Sequence, residues 1–429
     1  MTLRFLFILA LPGLLFGQGS PPSATSPLLT MDQAVSEAIA HNLDYLAQKF
    51  DLSIAEAQIV TAGLRPNPVL TLDADHLDFL GTHFNLQTNN GGPSEYSVRA
   101  DYLFERGGKR QARVALATGI RDVTKLSLVD AVRNLILNIQ DTYASAIAAK
   151  NSLDLAQDNL KILHDVVSIN EIRLKDGDVA KVELLRSEVA ELDFSNSVRQ
   201  AELQLASAKE QLRLLLGRTK LQPFDVGKDL RRDAPSLTHD EIVQRALAQR
   251  PDLQALLRDE QRAGADLRLQ KANAKVDIQV GSEYRSQRIT AHANTLGFFV
   301  QSPIPVFNRN QGEIQRAAQA QLQAQARTHA LQLTVGNDVE LALLQYQAAR
   351  ATLEKMEGAM LGKARDVRSI SDYAYKRGDI SLVEFLDAVR AYNDTMQSYN
   401  DARSDYAKSL DALDAATGGT TAGGKAPQP

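Results

Sequence analysis

The chain has 429 residues, with 48 Lys and Arg residues against 52 Asp and Glu residues, and a formal net charge of -4. Neither this balance nor any block of basic residues indicates a nucleic-acid-binding protein. The sequence has no cysteine, which excludes disulfides, thiolate metal sites and a lipidated N-terminal cysteine. Its long stretches rich in Ala, Leu, Gln and charged residues indicate a mostly helical protein.

The first 19 residues have the features of a secretory signal peptide. Arg4 precedes the apolar run 5–16, and Gly17 and Gly19 are small residues at a suitable cleavage site. The run is too short to span a bilayer as a helix; a buried N-terminal helix is the alternative. We therefore predict an exported chain that loses residues 1–19 and continues with a linker at 20–28. The later sequence predicts no membrane-spanning helix, because it has no apolar run of sufficient length.

The sequence contains two related halves. Residues 29–40 resemble 237–248, and residues 177–185 resemble 378–386. A period of about 200 residues is far longer than that of a solenoid repeat. We therefore predict a duplicated, domain-sized unit: a first repeat at 29–217 and a second at 237–417. The remaining segments are predicted as a mid-rod connector at 218–236 and a disordered tail at 418–429.

Each repeat is predicted to contain the same elements in the same order. A helix opens each repeat, at 29–64 and 238–273, with Thr30 or Thr238 as its N-cap. The elements predicted next are, in the first and second repeat respectively, a strand hairpin (about 67–105 and 275–306), a long helix (about 108–174 and 310–376), a tip turn (at 177 and 378) and a returning helix (181–217 and 381–417).

The long and returning helices are predicted to form antiparallel coiled-coil hairpins. Apolar residues recur every seven positions along both long helices, at Leu153, Leu160, Val167 and Leu174 and at Leu353, Met360, Val367 and Ala374. A Gly-Asp pair then ends each long helix. A helix of about 67 residues is about 100 Å long, so the opening and returning helices placed end to end match its length.

The second hairpin alternates strictly between apolar and polar residues. The alternation predicts a lipid-facing set, Val276, Ile278, Val280 and Tyr284, and a lumen-facing set, Asp277, Gln279 and Glu283. A lone hairpin cannot span lipid because its edges would be unpaired, and four strands are too few to close a membrane barrel. Several chains would therefore have to share one barrel. The alternative is a water-soluble periplasmic rod or adhesin that carries small hairpins.

The order of these elements, the segments 105–110 and 303–312, and the two Gly-Asp turns resemble the TolC family of outer-membrane efflux ducts. The two segments are similar to the strand-to-helix joints of its cobalt–zinc–cadmium branch. The resemblance implies a homotrimer with a 12-stranded barrel in outer-membrane lipid and a periplasmic α-helical tunnel. It implies a passive exit duct that works with a periplasmic adaptor (membrane fusion protein) and an inner-membrane pump of the resistance-nodulation-division type. Heavy-metal cations are the implied substrate, and type I protein secretion is the alternative.

The resemblance also implies two functional regions at the periplasmic end. The first is the adaptor-docking tips, which contain Gly177, Asp178, Gly378 and Asp379. The second is a gate in which Glu384 and Asp387, three residues apart on one helix face, ring the tunnel mouth, with Arg186 and Tyr375 nearby. The alternative for the acidic pair is a favourable interaction of negative charge with the start of a helix.

No motif indicates an enzyme. The histidines lack metal-ligand spacing, and no nucleophile elbow or catalytic triad appears in the sequence. Asp75, His76 and His83 could meet at a metal, although ordinary polar surface is the default interpretation of such residues. We therefore predict no catalytic residue, no metal site and no cofactor.

Overall fold

A computed structural model describes residues 27–75, 77, 94–219, 222–235, 238–288 and 292–419. The predicted signal peptide, the loop at 78–93 and the tail from residue 420 lie outside the described residues, as do His76 and His83.

Helices form most of both halves of the chain. The helices of the first half are α1 (Met31–His41), α2 (Leu43–Gly63), α3 (Lys109–Asp176) and α4 (Lys181–Leu215). The helices of the second half are α5 (His239–Gln249), α6 (Pro251–Asn273), α7 (Gln311–Lys355), α8 (Leu361–Arg377) and α9 (Leu382–Thr417). Among the described residues, no helix has an apolar stretch long enough to cross a bilayer.

The strands are short by comparison. They are β1 (Leu28–Leu29), β2 (Val69–Asp75), β3 (Glu95–Phe104), β4 (Asp225–Val226), β5 (Ile278–Arg288) and β6 (His292–Gln301). The four longer strands form one antiparallel sheet in the order β2-β3-β5-β6, so the pairing of β3 with β5 joins the two halves of the chain. The fold is therefore mostly helical, with a sheet made from the two predicted hairpins.

The opening helix of each half is capped as predicted but is divided in two. Thr30 and Thr238 both form capping boxes. The chain then leaves helical geometry at Asn42, whose side chain accepts a hydrogen bond from the Tyr45 N–H at 2.9 Å. In the second half the break falls at Arg250, because Pro251 follows it and proline disfavours a helical conformation in the preceding residue.

The two long helices differ from each other. α3 is continuous, as predicted, but its counterpart is interrupted by a π-helical turn at Met356–Met360 between α7 and α8. The wider turn places Glu357 within reach of two side chains. Its carboxylate forms an ion pair with Arg232 and accepts a hydrogen bond from the Tyr399 hydroxyl at 2.9 Å. A heptad pattern does not reveal such an insertion, because a π turn depends on these long-range contacts.

The helices pack side by side as one layer, which we call the helical wall. α2 and α4 both pack on one side of α3, while α6 and α9 both pack between α3 and α7. The opening and returning helices therefore share the length of a long helix in each half. Small and apolar side chains fill the seams, as at Leu163, Ala190 and Val389.

The connector between the halves is held to the first half by Asp225. β4 pairs in parallel with β1, and the Asp225 carboxylate accepts hydrogen bonds from Lys150 at 2.6 Å and Lys209 at 2.8 Å. Burial opposes ionisation of Asp225. The two lysines and the Val226 N–H outweigh that effect and lower its pKa to about 2.

The connector is held to the second half by Arg231. Its guanidinium contacts Asp411 at 2.9 Å and Asp414 at 2.6 Å, both on α9, and it also pairs with Asp233. Burial raises the pKa of Asp411 to about 6, against the effect of the hydrogen bond from Arg231. The connector therefore joins the two halves through Asp225 and Arg231, and the pKa shifts of Asp225 and Asp411 at these two contacts are opposite in direction.

Candidate functional site

The sheet has one apolar and one polar face. Its register places Leu72, Val98, Tyr284 and Leu296 in one row across the four strands. Paired residues of an antiparallel sheet share a face, and side chains two positions apart along a strand lie on the same side. Ile278, Val280 and Tyr284 therefore lie on the apolar face, together with Phe298 and Val300 on β6. The apolar face is open, with Phe298 81% and Val300 73% exposed.

The opposite face carries Gln279 and Glu283 within a network of charged and polar contacts. Arg285 contacts Glu95 at 3.1 Å and Glu283 at 2.9 Å. Further along the same face, Gln279 donates a hydrogen bond to Asp101. The Arg285–Glu95 ion pair and the Gln279–Asp101 hydrogen bond connect β5 with β3 on the polar side of the sheet.

Val276 and Asp277, which we predicted as strand residues, precede β5. The Asp277 carboxylate accepts hydrogen bonds from the Arg106 N–H at 2.9 Å and from the Lys109 side chain at 2.7 Å. Asp277 therefore connects the start of β5 to the joint between β3 and α3. The alternating pattern alone did not reveal this role, because Asp277 stands at a position where the pattern of β5 also expects a polar residue.

The two tip turns have the same backbone geometry. Gly177 and Gly378 adopt φ values of 85° and 84°, in the left-handed region that glycine tolerates best. The N–H of Asp178 reaches the Arg173 carbonyl at 2.8 Å, and the N–H of Asp379 reaches the Ala374 carbonyl at 2.9 Å. Both Gly-Asp pairs are exposed, so the ends of the two hairpins are open surfaces.

Tyr375 lies inside the helical wall near the second tip turn. Its ring is 1% exposed and stacks on Phe385 at 5.0 Å, while its hydroxyl donates a hydrogen bond to Asn170 at 2.7 Å. Burial raises the pKa of the Tyr375 hydroxyl. Tyr375 therefore fastens the second hairpin to α3, and in this arrangement its side chain does not line an open mouth.

Glu384 and Asp387 are both exposed at the start of α9, but their contacts differ. Glu384 belongs to a capping box, in which its carboxylate accepts hydrogen bonds from the Ser381 N–H at 2.8 Å and the Ser381 hydroxyl at 2.9 Å. The Ser381 N–H and then its hydroxyl lower the pKa of Glu384. Asp387, like Arg186 on α4, has no hydrogen bond or ion pair with any other residue that the structure describes.

Two residues near the tips were missed by the sequence analysis. Arg173 donates hydrogen bonds from α3 to the carbonyls of Tyr375 at 3.2 Å and Lys376 at 2.8 Å, and so reaches the last turn of α8. Asn170 is fully buried and holds the Tyr375 hydroxyl. A signal was present for Asn170, because it follows Leu163 by seven residues and is a polar residue in an apolar heptad seam.

No group of three or more His, Asp or Glu side chains is placed to hold a metal ion within the described part of the chain. The distinctive features of the molecule are an amphipathic sheet at one end of the helical wall and two exposed turns at the other.

A family model of outer membrane efflux proteins matches residues 34–218 and 242–419. The cobalt-zinc-cadmium resistance protein CzcC of Cupriavidus metallidurans is 24% identical over 372 residues, which cover 86% of this chain and 85% of the relative. The pyoverdine export outer membrane protein OpmQ of Pseudomonas putida is 25% identical over 386 residues, which cover 84% of this chain and 80% of the relative.

Solved outer-membrane channels have the same fold. The Campylobacter jejuni channel CmeC superimposes with a TM-score of 0.77 at 14% identity, covering 96% of this chain and 94% of that one. CusC superimposes with a TM-score of 0.74 at 19% identity, covering 92% and 94%. These findings confirm the predicted family, the outer-membrane location and the function as an efflux duct. The family consists of efflux channels and not of enzymes. The chain belongs to the family of outer membrane efflux proteins.

Proposed function

We propose that three copies of this chain assemble into the exit duct of a tripartite efflux system. Each copy contributes its four-stranded sheet to a 12-stranded barrel and its helical wall to a periplasmic tunnel. The observation that carries the proposal is the amphipathic sheet, whose apolar face is open and whose polar face is cross-linked by ion pairs. An open apolar face beside two unpaired edge strands, β2 and β6, is stable in a membrane only when the edges are closed.

The free edges of the helical wall support a ring of identical copies. One edge carries an exposed apolar stripe on α4, formed by Val182, Leu185, Val189 and Leu192. The other edge carries a second stripe, which runs from the end of the π-helical turn into α8 and includes Met360, Val367 and Ile370. Spacings of three, four or seven residues keep each stripe on one helix face. Two different edges that fit each other give a head-to-tail contact, which closes into a ring.

The two related halves of the sequence then act as structural repeats. Each half supplies one pair of strands and two columns of the helical wall. One column is its long helix, and the other is its opening and returning helices placed end to end. Three copies therefore surround the duct with six similar units. The double match of the family model, one segment in each half, supports this interpretation.

The exposed tip turns are the proposed docking points for the periplasmic adaptor, which connects the duct to an inner-membrane pump of the resistance-nodulation-division type. Gly177, Asp178, Gly378 and Asp379 end the hairpins at the pole opposite the sheet. Asp387, Glu384 and Arg186 lie one to three helical turns from these glycines. We place them at the periplasmic mouth, with Tyr375 and Arg173 fixing the hairpin that carries the acidic pair.

The proposed substrates are heavy-metal cations. The likeness to the cobalt-zinc-cadmium resistance protein supports this class, whereas the likeness to the pyoverdine export protein supports a small organic chelator as the second candidate. Growth of a deletion strain complemented with this chain distinguishes the two. Restored tolerance to cobalt, zinc or cadmium supports metal export. Restored pyoverdine release without any gain in metal tolerance contradicts it.

The barrel is tested by one pair of substitutions on neighbouring residues. Ile278→Arg places a charge on the apolar face at the first residue of β5, close to the helix end of the sheet, and is expected to destabilise the assembled barrel by about 1 kcal/mol, less than an arginine would at the bilayer midplane. The matched control, Gln279→Arg, places the same charge on the polar face and should assemble normally. The measurement is the yield of heat-modifiable trimer in outer-membrane fractions. Equal yields from the two variants would show that the apolar face does not contact lipid.

A further inference from the structure

A cleft lies where the sheet meets the helical wall in the first half of the chain. It has a volume of about 320 Å³ and is lined by residues that include Arg65, Pro66, Tyr102, Phe104 and Arg110. Arg65 follows α2 and precedes β2, whereas Arg110 lies in the first turn of α3. The cleft therefore sits at the helix end of the sheet, beside the apolar face.

The cleft carries two positive charges that no carboxylate balances. Glu105 and Lys109 also line the cleft, but their charges are already paired, since Glu105 binds Arg113 and Lys109 binds Asp277. Arg110 donates from Nε to the Gly63 carbonyl and has no acidic partner among the described residues. Arg65 is exposed and likewise has no ion pair within the described part of the chain.

Two aromatic residues of the apolar face line the cleft. Tyr102 and Phe104 are two residues apart on β3, and their rings meet edge to face at 4.9 Å. Their partners across the sheet are Val280 and Ile278, which also lie on the apolar face. Two unbalanced guanidinium groups thus stand at the border where this apolar surface ends.

We propose that this cleft binds an anionic phospholipid of the periplasmic leaflet of the outer membrane. The lipid phosphate pairs with Arg65 and Arg110, and the adjoining acyl chains lie along Phe104 and Tyr102. Guanidinium groups suit phosphate because they offer planar, paired donors, and basic residues beside an apolar surface recognise anionic headgroups. The inference rests on the proposed function, because it requires the apolar face to meet lipid.

The second half of the chain provides an internal comparison. Its corresponding strand-to-helix joint leads into α7, whose N-cap is Asn310 where α3 has Gly108. Two residues after each N-cap, Gly312 takes the place of Arg110. The second joint therefore lacks the counterpart of one of the two proposed phosphate ligands, and one high-affinity lipid is expected per protomer.

The test is native mass spectrometry of the purified full-length protein titrated with dioleoylphosphatidylglycerol or dioleoylphosphatidylcholine. The wild type should retain the anionic lipid preferentially. The double variant Arg65→Gln, Arg110→Gln should lower the affinity for the anionic lipid about 30-fold, because two guanidinium charges that attract the phosphate are lost. Retention of phosphatidylcholine should not change. Arg65→Lys with Arg110→Lys should keep most of the preference. Arg106→Gln, an exposed arginine at the same joint that does not line the cleft, is the matched control.

Three results would overturn the lipid site. These are equal retention of both lipids by the wild type, unchanged anionic-lipid affinity in the double glutamine variant, and displacement of the lipid by an equal concentration of inorganic phosphate. If such a preparation still forms trimers that conduct ions in planar bilayers, the lipid site is wrong and the duct stands. If no membrane assembly forms at all, both the duct and the lipid site are wrong.

Discussion

The two helical hairpins at the end of the wall opposite the sheet, α3–α4 and α8–α9, have the same Gly-Asp turn but are stabilised by different contacts. In the first hairpin, α3 runs unbroken and buries side chains along most of its length. In the second, α8 follows a π-helical turn and, of its 17 residues, all of them described, buries only Leu361 and Tyr375. The Gly-Asp turn therefore follows a long helix that is buried along much of its length in the first hairpin and a sparsely buried helix in the second, where the returning helix α9 supplies most of the buried side chains.

Those few contacts are concentrated at the two ends of α8. At the tip, Tyr375 stacks on Phe385 and bonds Asn170, while Arg173 reaches over from α3. At the other end, Glu357 in the π turn pairs with Arg232 of the connector. The two halves of the sequence therefore share the order of helices and turn in each hairpin, whereas the stability of each hairpin depends on contacts with residues distant in the sequence. We therefore expect α8 to be easier to displace than the end of α3, the other helix that leads into a tip turn.

The largest effect is expected at Tyr375. Tyr375→Ala removes a buried ring and should cost about 3–5 kcal/mol, because the ring leaves a cavity and Asn170 loses its partner. Leu174, three residues before Gly177 as Tyr375 is three before Gly378, is the matched control. Leu174 is only half-buried, so Leu174→Ala should cost about 1 kcal/mol. Thermal unfolding of the purified variants measures both, and equal losses would contradict the asymmetry between the hairpins.

A smaller and symmetrical effect is expected at the tip glycines. An added Cβ meets no atom within 4 Å at Gly177 or Gly378, so alanine is disfavoured there only by the positive φ. The cost should be about 1–2 kcal/mol in either tip. Gly378→Ala should impair efflux while leaving the trimer assembled, which is measured by substrate accumulation beside a trimer assay. Loss of the trimer would assign these glycines to folding instead of docking.

The pH dependence of stability should separate the two attachments of the connector. Asp225, with its lowered pKa, stabilises the fold above the unfolded pKa of about 4, and this contribution is lost as the pH falls toward about 2. Asp411, with its raised pKa, has the opposite sign: stability falls as the pH rises from about 4 through about 6. The unfolding midpoint is measured across this pH range. Its loss at the lowest pH should disappear in Asp225→Asn, and its decrease as the pH rises through the pKa of Asp411 should disappear in Asp411→Asn. Unchanged slopes in both variants would contradict these pKa shifts.

The smallest effect on stability, and a specific effect on conduction, is expected at the acidic pair. If Glu384 and Asp387 ring the mouth, the variant Glu384→Gln, Asp387→Asn should weaken the block of single-channel current by divalent or trivalent cations added on the periplasmic side. Asp387→Asn alone should account for most of the change, because the Glu384 carboxylate already accepts two hydrogen bonds from Ser381. Unchanged block in the double variant would show that both acids serve only the start of α9.

Local patterns in the sequence predicted most of the fold. The heptads predicted the seams only in part, since Val167 and Leu353 are buried whereas Met360 and Val367 are exposed, but the threonine caps and Gly-Asp turns lie where expected. The breaks at Asn42 and in the π turn were missed, because each is stabilised by partners distant in sequence, such as Leu215 for the Asn42 side chain. The strand alternation predicted the two faces of β5. It also placed Asp277 in the strand, although Asp277 precedes β5 and belongs to the joint between β3 and α3.

The candidate site was less predictable than the fold for the same physical reason. Motifs located Glu384 and Tyr375 near the tip, but only the packing of α3 against α8 distinguishes a buried, stacked tyrosine from an exposed one. Arg173 had no motif of its own, because a basic residue in the last turn of a helix is common and its partners lie in the other half of the chain.

The most direct test of the central claim is the mass of the complex extracted from the outer membrane, determined by native mass spectrometry in a mild detergent. We expect a single assembly of three mature chains, because the free edges of the wall and of the sheet close only when identical copies meet head to tail. A monomer or dimer in that extract, or recovery of the protein in the soluble periplasmic fraction, would contradict the shared barrel and the duct built on it.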